Sequence, residues 1–366
     1  MSVDNLQQLQ SLTAWSTRKT TFVCVNVIQE THDVKTFQLR AKQAQLLHFK
    51  PGQFIGIQIE INGEKHNRSY TIASSPTRPH LLELTIKRDP LGVVSPWLHD
   101  KLIQGAELEL RGPAGRFNCM DIENDKVLLI SAGSGITPTM SMLRFWSDQG
   151  LAKDIQFVNW SRSVQDIIFR RELALIDHLH ANINVEVVCT KPGLMENWLG
   201  RRGRINQILL DDLVPDLKQR TVFCCGPEGF MDQVKVCLSQ SGFDMANYHD
   251  ESFDPGGKKK IKRDTAKADH QQTTRKLATG PFNLTFKKTG KTVVVESNEV
   301  LLERIEAEGV AIESACRAGN CGCCQVRKIS GETKTENEAG LFPERKKEGF
   351  ILTCTTRIQS DVELDL

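Results

Sequence analysis

The stretch Lys126-Val127-Leu128-Leu129-Ile130-Ser131-Ala132-Gly133-Ser134-Gly135-Ile136-Thr137-Pro138 decides the architecture of the middle of this chain. Its first half is a short continuous apolar run, as expected of a strand buried on both faces. A glycine loop follows, and from Thr137 to about Asp148 the apolar spacing becomes helical. Strand, glycine loop and helix in this order make the turn that cradles a dinucleotide pyrophosphate on backbone N–H groups. Gly133, Ser134, Gly135, Ile136, Thr137 and Pro138 are therefore candidate coenzyme contacts. Pro138 stands where the common fingerprint has a third glycine, so this loop is a variant, and proline suits a first helical turn.

Downstream the same pattern repeats. Ile155-Gln156-Phe157-Val158, Val185-Glu186-Val187-Val188 and Thr221-Val222-Phe223-Cys224 read as strands, with helical patterns starting near Phe169 and Glu228. Alternating strands and helices predict a doubly wound parallel sheet over 120–253. Cys225-Gly226-Pro227-Glu228 repeats the strand–loop–helix arrangement and leaves backbone open to a nicotinamide. Cys225 reads either as a catalytic thiol in hydride transfer or as a small buried hydrophobe. Phe253, in Glu251-Ser252-Phe253, reads either as a cover for a flavin face or as a core aromatic. Ser161 and Arg162 follow the second strand and bear on the choice between NADH and NADPH.

Upstream, residues 21–119 read as short strands between turns. Phe22-Val23-Cys24-Val25, Phe54-Ile55-Gly56-Ile57-Gln58-Ile59 and Leu82-Glu83-Leu84-Thr85-Ile86 are separated by Pro51-Gly52 and Asn62-Gly63, which predicts a small antiparallel barrel. Arg68-Ser69-Tyr70-Thr71 ends one barrel strand. Arg68 has the charge to neutralise a pyrophosphate, Tyr70 a ring to stack on an isoalloxazine, and Thr71 a hydroxyl for its N5 region. Gly92, Val93, Val94 and Ser95 read as the opening of a short helix whose N–H groups meet phosphate. Residues 1–20 are polar and read as a loose N-terminal extension.

The C-terminal part carries Cys316-Arg317-Ala318-Gly319-Asn320-Cys321-Gly322-Cys323-Cys324, with Cys354 downstream. Four residues separate Cys316 from Cys321 and two separate Cys321 from Cys324. That is the spacing of plant-type [2Fe-2S] clusters, with Cys354 as the fourth thiolate. A zinc site would show two separated cysteine pairs instead. Cys323 is taken as a non-ligand turned away. Glycines at 319 and 322 let the loop curl and aim amides at sulfur. Around it, Leu284-Thr285-Phe286 and Thr292-Val293-Val294-Val295 read as strands and Val300 to Glu308 as an amphipathic helix, a compact mixed domain over 282–366. Residues 254–281, with Lys258-Lys259-Lys260-Ile261-Lys262-Arg263, have almost nothing apolar to bury and read as a basic linker.

Composition narrows the function. The 366 residues carry a net charge of +2 and no dense basic face interleaved with aromatics, which argues against nucleic acid. The apolar runs are strand-sized, and the N-terminus lacks a signal pattern, so a cytoplasmic protein without stable membrane insertion is expected. Eleven cysteines, four within nine residues and six scattered in apolar surroundings, suit a metal site plus buried thiols rather than a disulfide scaffold.

In this order, R-x-Y-T, G-x-G-x-x-P, C-G-P and the cluster loop resemble the ferredoxin–NADP reductase superfamily, in the branch with a C-terminal plant-type ferredoxin domain. The resemblance implies FAD as flavin, with FMN in a minority of relatives, and a β-grasp fold for 282–366. It implies a nicotinamide donor, NADH in preference to NADPH, and matches Glu251 to the family's glutamate that helps electron or proton transfer. Cys24 to Thr31, Trp97 to Asp100 and Phe243 to Phe253 are similar to reductase components of the glycine betaine type. The implied acceptor is a partner protein, either a Rieske-type oxygenase acting on a quaternary amine or a hybrid-cluster protein. A reductase of small molecules and a redox sensor are the rival readings.

Overall fold

A computed structural model describes residues 15, 19–123, 125–150, 152–193, 198–253, 280–310, 312, 314, 316–319, 321–338 and 340–366. The expected linker, 254–281, lies outside them apart from Gly280 and Pro281, as does most of the N-terminal extension. The chain forms two compact units, Met1–Phe253 and Asp254–Leu366.

In the first unit, β1 (Thr20–Thr31), β2 (Val34–Ala41), β3 (Phe54–Ile61), β4 (Glu64–Thr71), β5 (Leu82–Lys87) and β6 (Glu107–Ala114) form one six-stranded sheet in the order β4-β3-β6-β1-β2-β5. Every pairing is antiparallel. An antiparallel bridge from Ile72 to Leu84 ties the continuation of β4 to β5, the opposite edge, and so closes the barrel. Helix α1 (Val94–Lys101) lies between β5 and β6. The interior holds Phe22, Phe37, Ile55, Ile72 and Leu84. It also holds Trp15, from the stretch read as loose, with its ring edge-on to Phe22 at 5.4 Å.

The same unit continues into β7 (Lys126–Ala132), α2 (Ile136–Gln149), β8 (Asp154–Ser161), α3 (Arg170–Leu179), β9 (Ile183–Cys189), β10 (Arg201–Arg202), α4 (Gln207–Leu213), β11 (Thr221–Cys225), α5 (Glu228–Gln240) and β12 (Tyr248–Glu251). The sheet order is β10-β9-β8-β7-β11-β12, all parallel. Val127 and Leu129 enter the core on one face; Leu128 and Ile130 enter the core on the other. That is why β7 reads as an unbroken apolar run. Strand order reverses at β7, and a crevice opens beyond the carboxyl ends of strands at such a point.

The second unit contains β13 (Pro281–Phe286), β14 (Lys291–Glu296), α6 (Leu301–Ala307), β15 (Gln325–Ser330), β16 (Thr333–Thr335), α7 (Pro343–Lys347), β17 (Phe350–Leu352), β18 (Thr356–Ile358) and β19 (Val362–Leu364). Five strands pair in the order β14-β13-β19-β15-β17, with β13 and β19 parallel. Leu301 and Ile305 of α6 bury against Leu284, Phe286, Val295 and Val326 of this sheet. A helix clasped by a mixed sheet is the β-grasp arrangement of ferredoxins. Among the described residues, no helix is long and apolar enough to cross a membrane.

Candidate functional site

Strand β4 runs against β3 from Ile61–Glu64 to Phe54–Thr71, so Arg68–Thr71 forms its last residues. Arg68 and Ser69 are exposed, Tyr70 is half-buried and Thr71 buried. Alternation puts Arg68 and Tyr70 on one face. Arg68 donates from Nη1 to the Asn67 carbonyl at 2.8 Å. Tyr70 packs on the barrel core, and burial pushes its phenol up to about 12, so the ring stays neutral. Gly92 donates its N–H to the Asp89 carbonyl at 3.0 Å, and Ser95 Oγ accepts from the Asp89 N–H at 3.0 Å. This turn delivers the chain into α1 through Val93 and Val94. The first turn of α1 has no acidic residue, leaving its N-terminal N–H groups suited to an anion.

On the parallel sheet, Gly133 has φ +55° and Ser134 accepts from Thr137 Oγ1 at 3.1 Å, turning the chain from β7 into α2, where Ile136 and Pro138 are buried. The next βα loop locks into this one. A Cβ on Gly135 would stand 2.3 Å from the Cys225 carbonyl oxygen, and a Cβ on Gly226 would stand 3.3 Å from the Ala132 nitrogen. Pro227 leads directly into α5. Ser131, Cys225 and Glu251 share one register row across β7, β11 and β12. Cys225 is fully buried, and burial followed by the Glu251 charge pushes its thiol well above the usual range. Glu251 Oε2 is buried without a hydrogen-bond partner, and burial pushes its carboxyl up to about 8. Phe253 is 44% exposed, outside the core.

The structure thus brings Gly133–Pro138, Cys225–Pro227 and Glu251 together at one sheet edge. Ser161 is turned inward, donating Oγ to Asn159 Oδ1 at 3.0 Å, while Asn159 donates to Ser131 Oγ at 2.9 Å. Arg162 is exposed.

The cysteine loop shows two thiol pairs. Cys316 meets Cys321, which also contacts the Cys323 thiol, and Cys324 meets Cys354, each in hydrogen-bond contact. Main-chain amides point at the sulfurs: Ala318 and Cys321 donate to Cys316 Sγ at 3.4 and 3.3 Å, and Gly319 donates to Cys354. Among the described residues no group of three or more ligating side chains is placed around a single ion. Two pairs fit two irons held by two thiolates each, so the donor set suits a [2Fe-2S] cluster. Cys324 and Cys354 sit among Leu302, Leu341 and Leu352, an apolar shell. Cys323 is only partly buried, its Sγ 4.0 Å from the Cys321 carbonyl. Gly319 and Gly322 have φ +76° and +72°, and Cβ atoms there would stand 2.4 Å from the Asn337 carbonyl and 2.3 Å from that of Gly340. Close passage of the Asn337 and Gly340 main chain over the loop therefore demands glycine, beyond the need for curvature.

Sequence reasoning missed Arg144, which is buried, ion-paired to Glu83 at 2.7 Å and to Glu172 at 2.5 Å. Its signal is a lone cation among Met140, Met142, Leu143 and Trp146 on a helix that reads as apolar. Arg317 was also missed: it has φ +49°, and its buried side chain pairs with both oxygens of Glu306.

Comparison with known proteins bears on these sites. Residues 22–119 match the oxidoreductase FAD-binding domain family, 129–236 the oxidoreductase NAD-binding domain family and 284–359 the 2Fe-2S iron-sulfur cluster binding domain family. The chain is 41% identical over 96% of its length, and 96% of the relative's, to the glycine betaine monooxygenase reductase subunit of Pseudomonas aeruginosa. It is 30% identical over 93% of its length, and 95% of the relative's, to the NADH oxidoreductase HCR of Escherichia coli. Phthalate dioxygenase reductase shares the fold, with a TM-score of 0.59 at 22% identity over 95% of this chain and 98% of that one. FAD, a nicotinamide dinucleotide and a [2Fe-2S] cluster are accordingly the cofactors of this chain, and a protein electron acceptor is its partner. The chain belongs to the ferredoxin–NADP reductase superfamily, in the branch of NAD(P)H-dependent flavin and iron–sulfur reductases with a C-terminal 2Fe-2S domain.

Proposed function

We propose that this chain is the reductase component of a glycine-betaine-type Rieske oxygenase. The observation that carries the reading is the 41% identity along nearly the whole of both chains to a glycine betaine monooxygenase reductase subunit. Bound FAD would convert a two-electron hydride donor into the one-electron supply a [2Fe-2S] cluster accepts. In this reading Arg68 neutralises the FAD pyrophosphate, with Ser69 beside it, Tyr70 stacks on the flavin ring, and Thr71 meets its N5 region. Gly92 to Ser95 offer N–H groups to phosphate.

Gly133 to Pro138 and Cys225 to Pro227 hold the dinucleotide, with Cys225 as a neutral thiol beside the reacting carbon. Glu251 holds a proton at its unpartnered Oε2, and Phe253 covers the flavin face. Cys316, Cys321, Cys324 and Cys354 hold the cluster. NADH is the proposed donor, because the Ser161 hydroxyl is committed to Asn159 rather than open to a 2′-phosphate. The working division is a barrel over 21–119, a coenzyme domain over 120–253 and a ferredoxin domain over 282–366, in a cytoplasmic protein.

A hybrid-cluster protein is the second candidate acceptor, supported by the 30% identity to the HCR oxidoreductase. The two are separated by mixing the purified chain and NADH anaerobically with either acceptor and following acceptor reduction by absorbance. Rapid reduction of the oxygenase component is expected. Reduction of dyes and of the hybrid-cluster protein, with the oxygenase left oxidised, overturns the reading.

A further inference from the structure

Helix α2 carries the coenzyme loop at its N-terminus, yet its later turns grip the barrel. Ser141, Arg144 and Asp148 recur at i, i+3 and i+7, a single stripe on a helix. Ser141 Oγ donates to the Ser74 carbonyl at 2.7 Å. Arg144 Nη1 donates to the Ala73 carbonyl at 2.7 Å and to Glu83 Oε2 at 2.7 Å. Asp148 accepts from Arg78 Nη2 at 2.7 Å and Nε at 3.1 Å, and from Thr77. On the barrel side, every group that the stripe engages lies between 73 and 83, the segment that runs on from Arg68–Thr71. On the other side, Arg144 Nε donates to Glu172 Oε1 of α3 at 2.7 Å, and the guanidinium stands 4.7 Å from the Phe169 ring centre.

Cohesion alone does not call for this arrangement. Ala73, Met140 and Met142 already bury together in one apolar core, and replacing a buried ion pair with apolar side chains is often neutral or stabilising. A guanidinium held from two directions instead defines position: its planar fork fits one seat, whereas apolar surfaces slide.

We propose that Arg144, with Ser141 and Asp148, is a positioning residue for hydride transfer, fixing the main chain beyond Thr71 against the Gly133–Thr137 loop and so the flavin-to-nicotinamide spacing. The proposal rests on the reading of Arg68–Thr71 as the flavin segment. Reacting atoms need an approach of about 3–3.5 Å, and a misplacement of about 1 Å costs on the order of a hundredfold in rate.

The test uses the full-length, FAD-loaded chain as wild type, as Arg144→Lys and as the double variant Ser141→Ala/Asp148→Asn, which leaves the Arg144 ion pairs in place. Each is mixed with NADH and with NADH deuterated at the transferred position in a stopped-flow instrument. The expected result is an unchanged NADH Kd with a limiting flavin-reduction rate lowered about tenfold or more. A weakened flavin–nicotinamide charge-transfer absorbance, a larger isotope effect and faster amide hydrogen exchange across 73–78 accompany it. FAD-replete variants with the wild-type limiting rate and absorbance overturn the proposal, as does a change confined to Kd. If Arg144→Lys does not load FAD, the double variant decides alone. Wild-type chain that binds no FAD sinks the flavin reading itself, a different outcome.

Discussion

Gly135 and the Cys225 main chain meet so closely that a Cβ at position 135 would stand 2.3 Å from the Cys225 carbonyl oxygen and 2.6 Å from the Gly226 nitrogen. Gly135 has φ −64°, so its missing side chain, and not its backbone freedom, is what the fold uses. Gly133 is the converse, with φ +55° and open space around the position of a Cβ. Gly135→Ala must push the two βα loops apart, at a cost of about 1–3 kcal/mol. NADH affinity should fall with it, while Gly133→Ala should show mainly the smaller strain of about 1–2 kcal/mol. Denaturant unfolding and NADH titration of both variants check this.

The five cysteines of the ferredoxin unit should fall into two classes. Cys316→Ser, Cys321→Ser, Cys324→Ser and Cys354→Ser should each lose the cluster or leave it labile, whereas Cys323→Ser should keep it. Iron and acid-labile sulfide per chain, measured after anaerobic purification, separate the classes.

Glu251 predicts a pH dependence with a definite sign. Its folded pKa of about 8 lies above the ordinary value of 4.5, so the folded chain holds a proton there that the unfolded chain has released. The contribution of this group to stability should be fully present below 4.5, fall as pH rises toward 8 and then level off. The slope approaches about 1.4 kcal/mol per pH unit. Glu251→Gln removes this component, so the difference between the two unfolding curves, measured from pH 5 to 9, should narrow as the pH falls.

The pair of Arg317 and Glu306 should set the cluster potential. Glu306→Gln leaves a buried guanidinium uncompensated beside Cys316, which favours the electron-rich cluster and raises its midpoint potential. Arg317→Met removes the cation and should lower it. An EPR-monitored redox titration reads both; shifts of the same sign would mean that the pair only holds the loop in shape.

Trp15 is 5% exposed and packs edge-on against Phe22. Trp15→Ala should cost about 3–5 kcal/mol and loosen FAD retention, even though the residue comes from a polar terminus. Thermal unfolding followed by flavin fluorescence tests it.

What the sequence by itself determined is what local spacing encodes. The apolar run of β7, the glycine loop after it and the C-x4-C-x2-C spacing each lie within one short segment, so their meaning survives without knowledge of distant partners. Strand–helix alternation likewise gave the parallel sheet, and turn residues gave the barrel. Short elements such as β10, β12 and α4 escaped because two to seven residues carry too little periodicity. Tertiary structure alone decided which remote groups meet: Gly135 against Cys225, the Asn337 and Gly340 main chain over the cluster loop, Trp15 in the barrel, and Arg144 between two domains. It also left Glu251 with a buried, unpartnered oxygen. Such contacts are set by no local spacing, and only the packing of whole sheets and helices fixes them.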